Sequence, residues 1–479
     1  MYNFSMSSKR FWGGLSLALA VAGCGTIFEA REAQKALESK GLATAFPAGE
    51  KFDLTDSSLQ ELVEFAMTNR PSVVAAAMEV MDARLALREI VADAPLVSRF
   101  PWNAPHLALS GGYSAQQVPS GDNGLHWRTE GSASAALSLD VLLYDFGRNE
   151  ARSAAQVERV IESEYALIQK GYEVFDEVAS AYFNLLENDG LLEVSLTNET
   201  EYVLHLQQAE AMLAAGEKQR VDVIDARAKL LQARERTIAA SNDVMTAGAE
   251  LMRVLGIDAS RGTRDTVFPS SGGAFSTLVR GFPKTVYGVD EAFGLARTNA
   301  PTMAIERARF RAASRNVDLA VADLMPSVSA QVGLSWADPV WAWHWGVSAV
   351  QSVFEGFRKV TAVDRAVVRM QVAATAVDES EQQLSLELAR QIAVRDNAGK
   401  AWETTKASVA AARERLELTK ARYQAGEDSR VAFAEAVAGY ASELGARISA
   451  FYATQRAEAK LFATIGRMPD YKEEIIHEK

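Results

Sequence analysis

The chain is written twice, and that duplication limits its possible folds more than any single motif does. Asn69-Arg70-Pro71 recurs as Asn299-Ala300-Pro301 and Ala92-Asp93 as Ala322-Asp323, both 230 residues on. Farther along, Ala215-Gly216-Glu217 matches Ala425-Gly426-Glu427, Arg220-Val221 matches Arg430-Val431, and Gly256 matches Gly466, all 210 residues on. Each half is one repeat of the same unit. The offset shrinks between Asp93 and Arg148, so the first repeat carries about twenty extra residues, shared between 96–105 and the loop 118–124. The expected divisions are an N-terminal segment (1–23), a second segment (24–55), a first repeat (56–257), a linker with Ser270-Ser271-Gly272-Gly273 (258–290), a second repeat (291–467) and a tail (468–479).

Each repeat reads as helix, two strands, long helix, turn, helix. Between Arg148 and Ala215 there is no proline, and the only glycines are Gly171 and Gly190. Ile161, Ile168, Phe175 and Tyr182 recur every seven residues, as do Tyr165, Tyr172, Ala179 and Leu186, which are the a and d positions of a coiled-coil seam. Such a helix would be about 100 Å long at 1.5 Å per residue, and 358–425 repeats it. Helices of roughly 60 Å are expected at about 56–94 and 217–256.

The strands alternate. Leu107, Leu109, Gly111, Tyr113 and Ala115 interleave with Ala108, Ser110, Gly112, Ser114 and Gln116; Gly131, Ala133, Ala135, Leu137, Leu139 and Val141 interleave with Ser132, Ser134, Ala136, Ser138 and Asp140. In the second repeat Val328, Ala330, Val332, Leu334 and Trp336 share one face, followed by Trp341, Trp343, Trp345, Val347 and Ala349. Each run is about ten residues, the length of a tilted strand crossing a bilayer. Tyr113, Trp336, Trp341 and Trp343 are expected at hairpin-proximal ends of the apolar face, where an aromatic girdle meets a membrane interface. Half-buried strands of a soluble protein alternate in the same way, but large aromatic residues there are more often central. Four strands in lipid would leave two unsatisfied edges, so further copies of the chain must close the sheet. Two copies give eight strands and a filled core; three give twelve and room for a lumen.

The N-terminus adds a cue. Lys9 and Arg10 precede a short apolar run, Leu15 to Ala22, that ends in Val21-Ala22-Gly23-Cys24. The run is shorter than the ~20 residues of a membrane-spanning helix and reads as a signal peptide. It resembles the lipobox of bacterial lipoproteins, in which Cys24, the only cysteine, would be acylated. Removing 1–23 takes two cations and no acid, moving the formal charge from −12 to −14. A chain this acidic is no candidate for nucleic acid, which needs clustered Lys and Arg. Histidines 106, 126, 205, 344 and 477 show no metal-ligand spacing, no phosphate-cradling loop is present, and no catalytic constellation stands out.

Taken together, these features resemble the TolC-type outer-membrane efflux protein family over residues 55–467. Its marks are the duplicated unit; Tyr144-Asp145-Phe146-Gly147-Arg148, where strand hands over to long helix; Met325-Pro326 entering a strand; and Tyr423-x-x-Gly426 at the far turn. The second handover departs from the first: Phe354-Glu355-Gly356-Phe357-Arg358 puts Phe357 where the first repeat has Gly147.

The resemblance implies an α+β membrane protein in which three copies form a 12-stranded β-barrel continuous with a periplasmic α-helical barrel. It also implies a lipid-anchored homotrimer in the outer membrane of a Gram-negative bacterium, working with a periplasmic adaptor protein and an inner-membrane pump. It requires no cofactor and no enzymatic step.

The far turns would form the periplasmic aperture and touch the adaptor, through Gly216, Glu217, Arg220, Asp222 and Asp225 and through Gly426, Glu427, Asp428, Arg430 and Glu435. Three copies of Asp222 would make an acidic ring favouring cations. In the second repeat Ala432 replaces the first of those two acids. Two solvated helix-hairpin turns are the plainer account of the same charges. The function expected is a passive exit duct for small molecules. A type I protein-secretion duct is one alternative, and a coiled-coil lipoprotein scaffold without a channel is the other.

Overall fold

The computed structural model describes residues 58–92, 106–120, 126–216, 219–257, 279–281, 288–337, 340–352, 354–425, 430–468 and 474–476. Cys24, Glu217, Gly426, Glu427 and Asp428 lie outside them. The elements are α1 (Leu59–Asn69), α2 (Pro71–Ala92), β1 (His106–Ser120), β2 (His126–Tyr144), α3 (Arg148–Ala214), α4 (Arg220–Leu255) and β3 (Val279–Gly281), then α5 (Val289–Asn299), α6 (Pro301–Ala322), β4 (Ser327–Ala337), β5 (Val340–Val350), α7 (Arg358–Gln424), α8 (Arg430–Ile465) and β6 (Glu474–Ile476).

The helices of the two repeats match in length. Both repeats run 11, 22, 67 and 36 residues. Only the hairpins differ, at 15 and 19 residues in the first repeat against 11 and 11 in the second. The extra length extends β1 and β2 toward their turn, where a ten-residue strand was expected.

The single helix expected at about 56–94 is two. Pro71 pushes Arg70 into extended backbone (φ −72°, ψ 124°), because its ring crowds a helical predecessor, and Ala300 before Pro301 does the same (φ −63°, ψ 124°). A capping box starts α1: Ser58 N donates to Glu61 Oε2 at 3.0 Å and Glu61 N donates to Ser58 Oγ at 3.3 Å. At the far end of each repeat a left-handed glycine ends the last helix, Gly256 at φ +82° and Gly466 at φ +73°. Each abuts the proline corner of its own repeat. A Cβ on Gly256 would lie 3.4 Å from Asn69 O, and one on Gly466 only 2.6 Å from Asn299 O.

The chain divides into two compact units. One draws on described residues up to Ala76, on Ile168–Ala300 and on residues from Gln383 onward; the other on Ala77–Leu167 and Pro301–Gln382. In the first unit α1 packs on α4 and α5 on α8, the same pairing in each repeat. The coiled-coil seam expected along α3 is only part of the arrangement. Phe175, Ala179, Tyr182 and Leu186 are buried, but so are Val174, Val178, Ala181, Phe183 and Leu185, which widen the buried stripe to rather more than half of the helix and leave Ser180 and Asn184 facing outward. A stripe this wide needs more cover than the single partner of a two-helix seam provides. Farther toward its start, Ile161 and Ile168 are half-buried and Tyr165 is exposed. The expected linker and tail meet as well: β3 pairs with β6, Arg280 opposite Ile475.

In the second unit, α2 and α6 both pair with the first part of α3 through charges. Arg84 Nη2 lies 2.6 Å from Glu164 Oε1, Arg309 Nε 2.7 Å from Glu162 Oε1 and Arg311 Nε 2.7 Å from Glu158 Oε2. The turn into β4 is held by Arg148, which pairs with Asp323 at 2.7 Å and donates from Nη2 to Met325 O at 3.1 Å. Both handovers use two successive left-handed residues, Phe146 and Gly147 (φ 54° and 86°) and Gly356 and Phe357 (φ 59° and 62°). The turn geometry thus survives the exchange of Gly147 for Phe357, with the glycine moved one place earlier.

Candidate functional site

The two hairpins join into one antiparallel sheet in the order β1-β2-β4-β5. Its register carries the alternation across both repeats. Leu109 faces Leu137, Leu137 faces Leu334 and Leu334 faces Trp343; two residues along, Leu107, Leu139, Val332 and Trp345 form the next row. Every apolar-face residue therefore neighbours another. The opposite face aligns Ala108, Ser138, Gly333 and His344, and beside them Asp140, Gln331 and Gly346.

This apolar face is not a core. Leu109 is 80% exposed, Trp343 73% and Trp345 70%, and every residue of β5 is exposed. Covering a tryptophan is worth roughly 4 to 6 kcal/mol, at ~25 cal/mol per Å² over 150–250 Å². Three of them in water would forfeit about as much as an ordinary domain's whole stability. Contiguous apolar surface on this scale marks an interaction with something other than water.

Trp336 and Trp341 stand opposite one another beside the β4–β5 turn, ring centroids 6.3 Å apart. Tyr113 does not sit beside its own hairpin turn as expected, because β1 continues to Ser120. It pairs with Ala133, next to the row of Ala135 and Trp336, and so shares the level of the shorter hairpin's turn. The aromatic residues at the other ends of the strands were missed: Tyr144 packs edge-on against Phe146 at 4.7 Å and Phe354 against Phe357 at 5.6 Å, all four exposed. The repeat at offset 210, which pairs residues 147 and 357, was the available signal.

At the far turns Gly216 is left-handed (φ +79°) and closes α3. Asp222 has a local task at the start of α4: its Oδ2 accepts from Gln219 N at 3.1 Å, at the positive end of the helix dipole. Asp225 and Glu435 are exposed, and Arg220 and Arg430 open α4 and α8. Above these turns the helices follow the order α7-α8-α3-α4. Trp402 packs on Phe451 at 5.5 Å and Tyr423 stacks on Phe433 at 5.3 Å between α7 and α8. Arg456 Nη1 reaches Glu187 Oε2 at 2.6 Å between α8 and α3, and Arg234 Nε reaches Glu199 Oε1 at 3.1 Å between α4 and α3. A groove of about 750 Å³ runs along α8 between α3 and α7, floored by Phe433, Val437, Tyr440 and Leu444.

A family model described as outer membrane efflux protein matches residues 62–257 and 292–467, which are the two repeats. Among curated proteins, the chain is 27% identical over 203 residues to the solvent efflux pump outer membrane protein SrpC of Pseudomonas putida and to the toluene efflux pump outer membrane protein TtgI, also of Pseudomonas putida. Those matches take in 41% of this chain and only 40% of the length of either relative. Among solved structures, CusC is similar with a TM-score of 0.72 at 20% identity, over 89% of this chain and 96% of CusC. The CmeC outer membrane channel of Campylobacter jejuni is similar with a TM-score of 0.70 at 16% identity, over 88% of this chain and 90% of that one. At these identities the structural likeness is one of fold.

Proposed function

The chain belongs to the outer membrane efflux protein family, and from that premise we propose that it is the outer-membrane exit duct of a tripartite efflux assembly, a passive channel made by three copies. One observation carries this: a four-stranded sheet, continuous across both repeats, whose apolar face is exposed and whose first and last strands are edges. In hydrocarbon each unpaired backbone group costs several kcal/mol, so β1 and β5 must find partners outside the chain. β5 runs antiparallel to β1 by way of β2 and β4, so setting β5 of one copy beside β1 of the next preserves the up-and-down order. Three copies give twelve strands and a lumen lined by the polar face, with lipid against the tryptophans. Trp336, Trp341, Trp343 and Tyr113 mark one membrane interface; the exposed Tyr144, Phe146, Phe354 and Phe357 mark the other.

In this account Cys24 carries the lipid anchor, and the far turns of α3–α4 and α7–α8 meet a periplasmic adaptor that couples the duct to an inner-membrane pump. Small molecules are the cargo, in keeping with relatives named for solvent and toluene efflux. The transport step calls for shape and not for catalysis, with energy supplied by the pump.

The test is fractionation followed by unheated gel electrophoresis and planar-bilayer recording. The protein should lie in the outer membrane, migrate as a trimer and conduct. A water-soluble monomer released once its lipid is removed would overturn the proposal.

A further inference from the structure

The polar face of the sheet is built almost wholly of small uncharged residues. Ser110 lies in one row with Ala136, Ser335 and Ala342, Ala108 with Ser138 and Gly333, and Ser329 with Ser348. The hydroxyls lean on the wall. Ser110 Oγ donates to Ala136 O at 3.4 Å, Ser134 Oγ to Gly112 O at 3.4 Å and Ser335 Oγ to Ala342 O at 3.3 Å, while the Ser329 and Ser348 hydroxyls lie 3.0 Å apart. Between the rows of Gly112 and Ser329, the ionisable positions of this face among the described residues are Asp140, its register partner His106 on β1, and His344.

Asp140 is half-buried on β2 and His344 is exposed on β5, two strands away. The imidazole narrows that gap. A Cβ on Gly333 would lie 2.4 Å from both Cε1 and Nε2 of His344, so the ring leans across β4 toward β2. Gly333 is buried beneath it and has no side chain to hold it off. Asp140 is then one strand and two residues from the ring, roughly 8 Å at about 4.8 Å between strands and about 3.4 Å per residue. That is inside the Debye length of about 10 Å at 0.1 M salt, so each group feels the charge of the other. Gln331, opposite Asp140, brings an amide and no charge.

We propose that Asp140 sets the charge preference of the barrel lumen, favouring cationic over anionic solutes, and that His344 cancels it in acid. The proposal rests on the duct reading above, in which the polar face lines the lumen and three copies place three Asp140 carboxylates at one level. A ring of carboxylates attracts cations and holds back anions. The serine, glycine and alanine rows beside it add no charge that would mask the ring. Histidine is the side chain that ordinarily gains a proton between pH 8 and 5. Three imidazolium groups then offset three carboxylates, and the lumen loses its preference. A proton on His106 acts in the same sense. Uncharged solutes pass alike in both states.

Reversal potentials of purified trimers in planar bilayers, under a KCl gradient at about pH 8 and about pH 5, test both halves. The native channel should prefer potassium at the higher pH and lose most of that preference at the lower. Asp140→Asn should cut the preference about twofold or more at the higher pH, and Asp140→Lys should turn it toward chloride. His344→Gln should match the native channel at the higher pH and keep more of its preference at the lower. If Asp140→Asn does not assemble, Asp140→Ser removes the same charge. A conducting trimer whose reversal potential is the same in the native and Asp140→Asn forms overturns the inference and leaves the duct standing, with its charge preference set elsewhere. A His344→Gln channel that loses its preference in acid as fully as the native one overturns the role given to His344. A native protein that is neither trimeric nor conducting defeats the duct itself.

Discussion

The middle of α3 and strand β5 are about equally apolar and meet opposite fates. Phe175, Val178, Ala179 and Leu185 are wholly buried, whereas Trp341, Trp343, Trp345 and Val347 are exposed. Both stretches avoid water, yet only the first is given its cover by its own chain. The difference lies in periodicity. Apolar residues at 174, 175, 178, 179, 181, 182, 183, 185 and 186 cover more than half of a helix and call for packing from more than one neighbour. Alternation in β5 calls for one oily face, and among the described residues the sheet provides neighbours beside it while every residue of the strand stays exposed. Hydrophobicity says what a side chain leaves; its spacing says how many sides must be covered.

The largest effect that could break this contrast is expected from truncation. Phe175→Ala removes a wholly buried ring and should cost about 3–5 kcal/mol, read as a lower unfolding midpoint in detergent. Trp345→Ala should cost much less in the same measurement, since detergent or lipid and not protein covers its ring; equal losses would mean that β5 is packed inside a protein core.

A charge sharpens the same contrast within β5. Val347→Arg, on the apolar face, should cost about 2–4 kcal/mol and deplete the membrane-assembled form, whereas neighbouring Ser348→Arg, on the polar face, should assemble nearly normally. Western blots of outer-membrane fractions distinguish the two.

On the buried side, the two helix-ending glycines should differ. Gly466→Ala and Gly256→Ala each force a Cβ into left-handed backbone, at ~1–2 kcal/mol. Only Gly466 adds a collision, with its Cβ site 2.6 Å from Asn299 O. Thermal unfolding should rank Gly466→Ala as the more damaging.

The smallest effect concerns Asp176, which lies beside the buried ring of Phe175 in sequence. Burial pushes its carboxyl above the ordinary carboxylate range, Lys460 pulls it down and Glu177 pushes it up again. Since the folded value is the higher, the contribution to stability is fully present below the unfolded value and is lost as pH rises through the folded one. Asp176→Asn should therefore raise the unfolding temperature slightly at neutral pH and leave it unchanged in acid, as scans at the two pH values would show.

Much of this was legible in the residues. The offsets of 230 and 210 give the two repeats, and they match the observed helix lengths residue for residue. The alternation from Val328 to Trp336 gives the apolar face, because a period of two admits only one register of faces. The break at Arg70 was also legible, since a proline follows it, but a continuous helix was expected over it. The seam in α3 was only part of the pattern, because a count of every seventh residue overlooks the apolar residues between. Left-handed Phe357 could not be read from its own identity; only its equivalence to Gly147 points to it. At the far turns the residue types gave the reversal and the glycines, while the role of Asp222 toward Gln219 N needed geometry.

The central claim is that acyl chains cover the tryptophans of β5. It is tested most directly by tryptophan fluorescence of the protein reconstituted in vesicles of brominated phospholipid. The account expects strong quenching in the native protein and a clear loss of the quenched fraction in Trp343→Phe/Trp345→Phe. Fluorescence indifferent to bromine, with the same rings shielded from aqueous quencher, would place those side chains inside protein and contradict it.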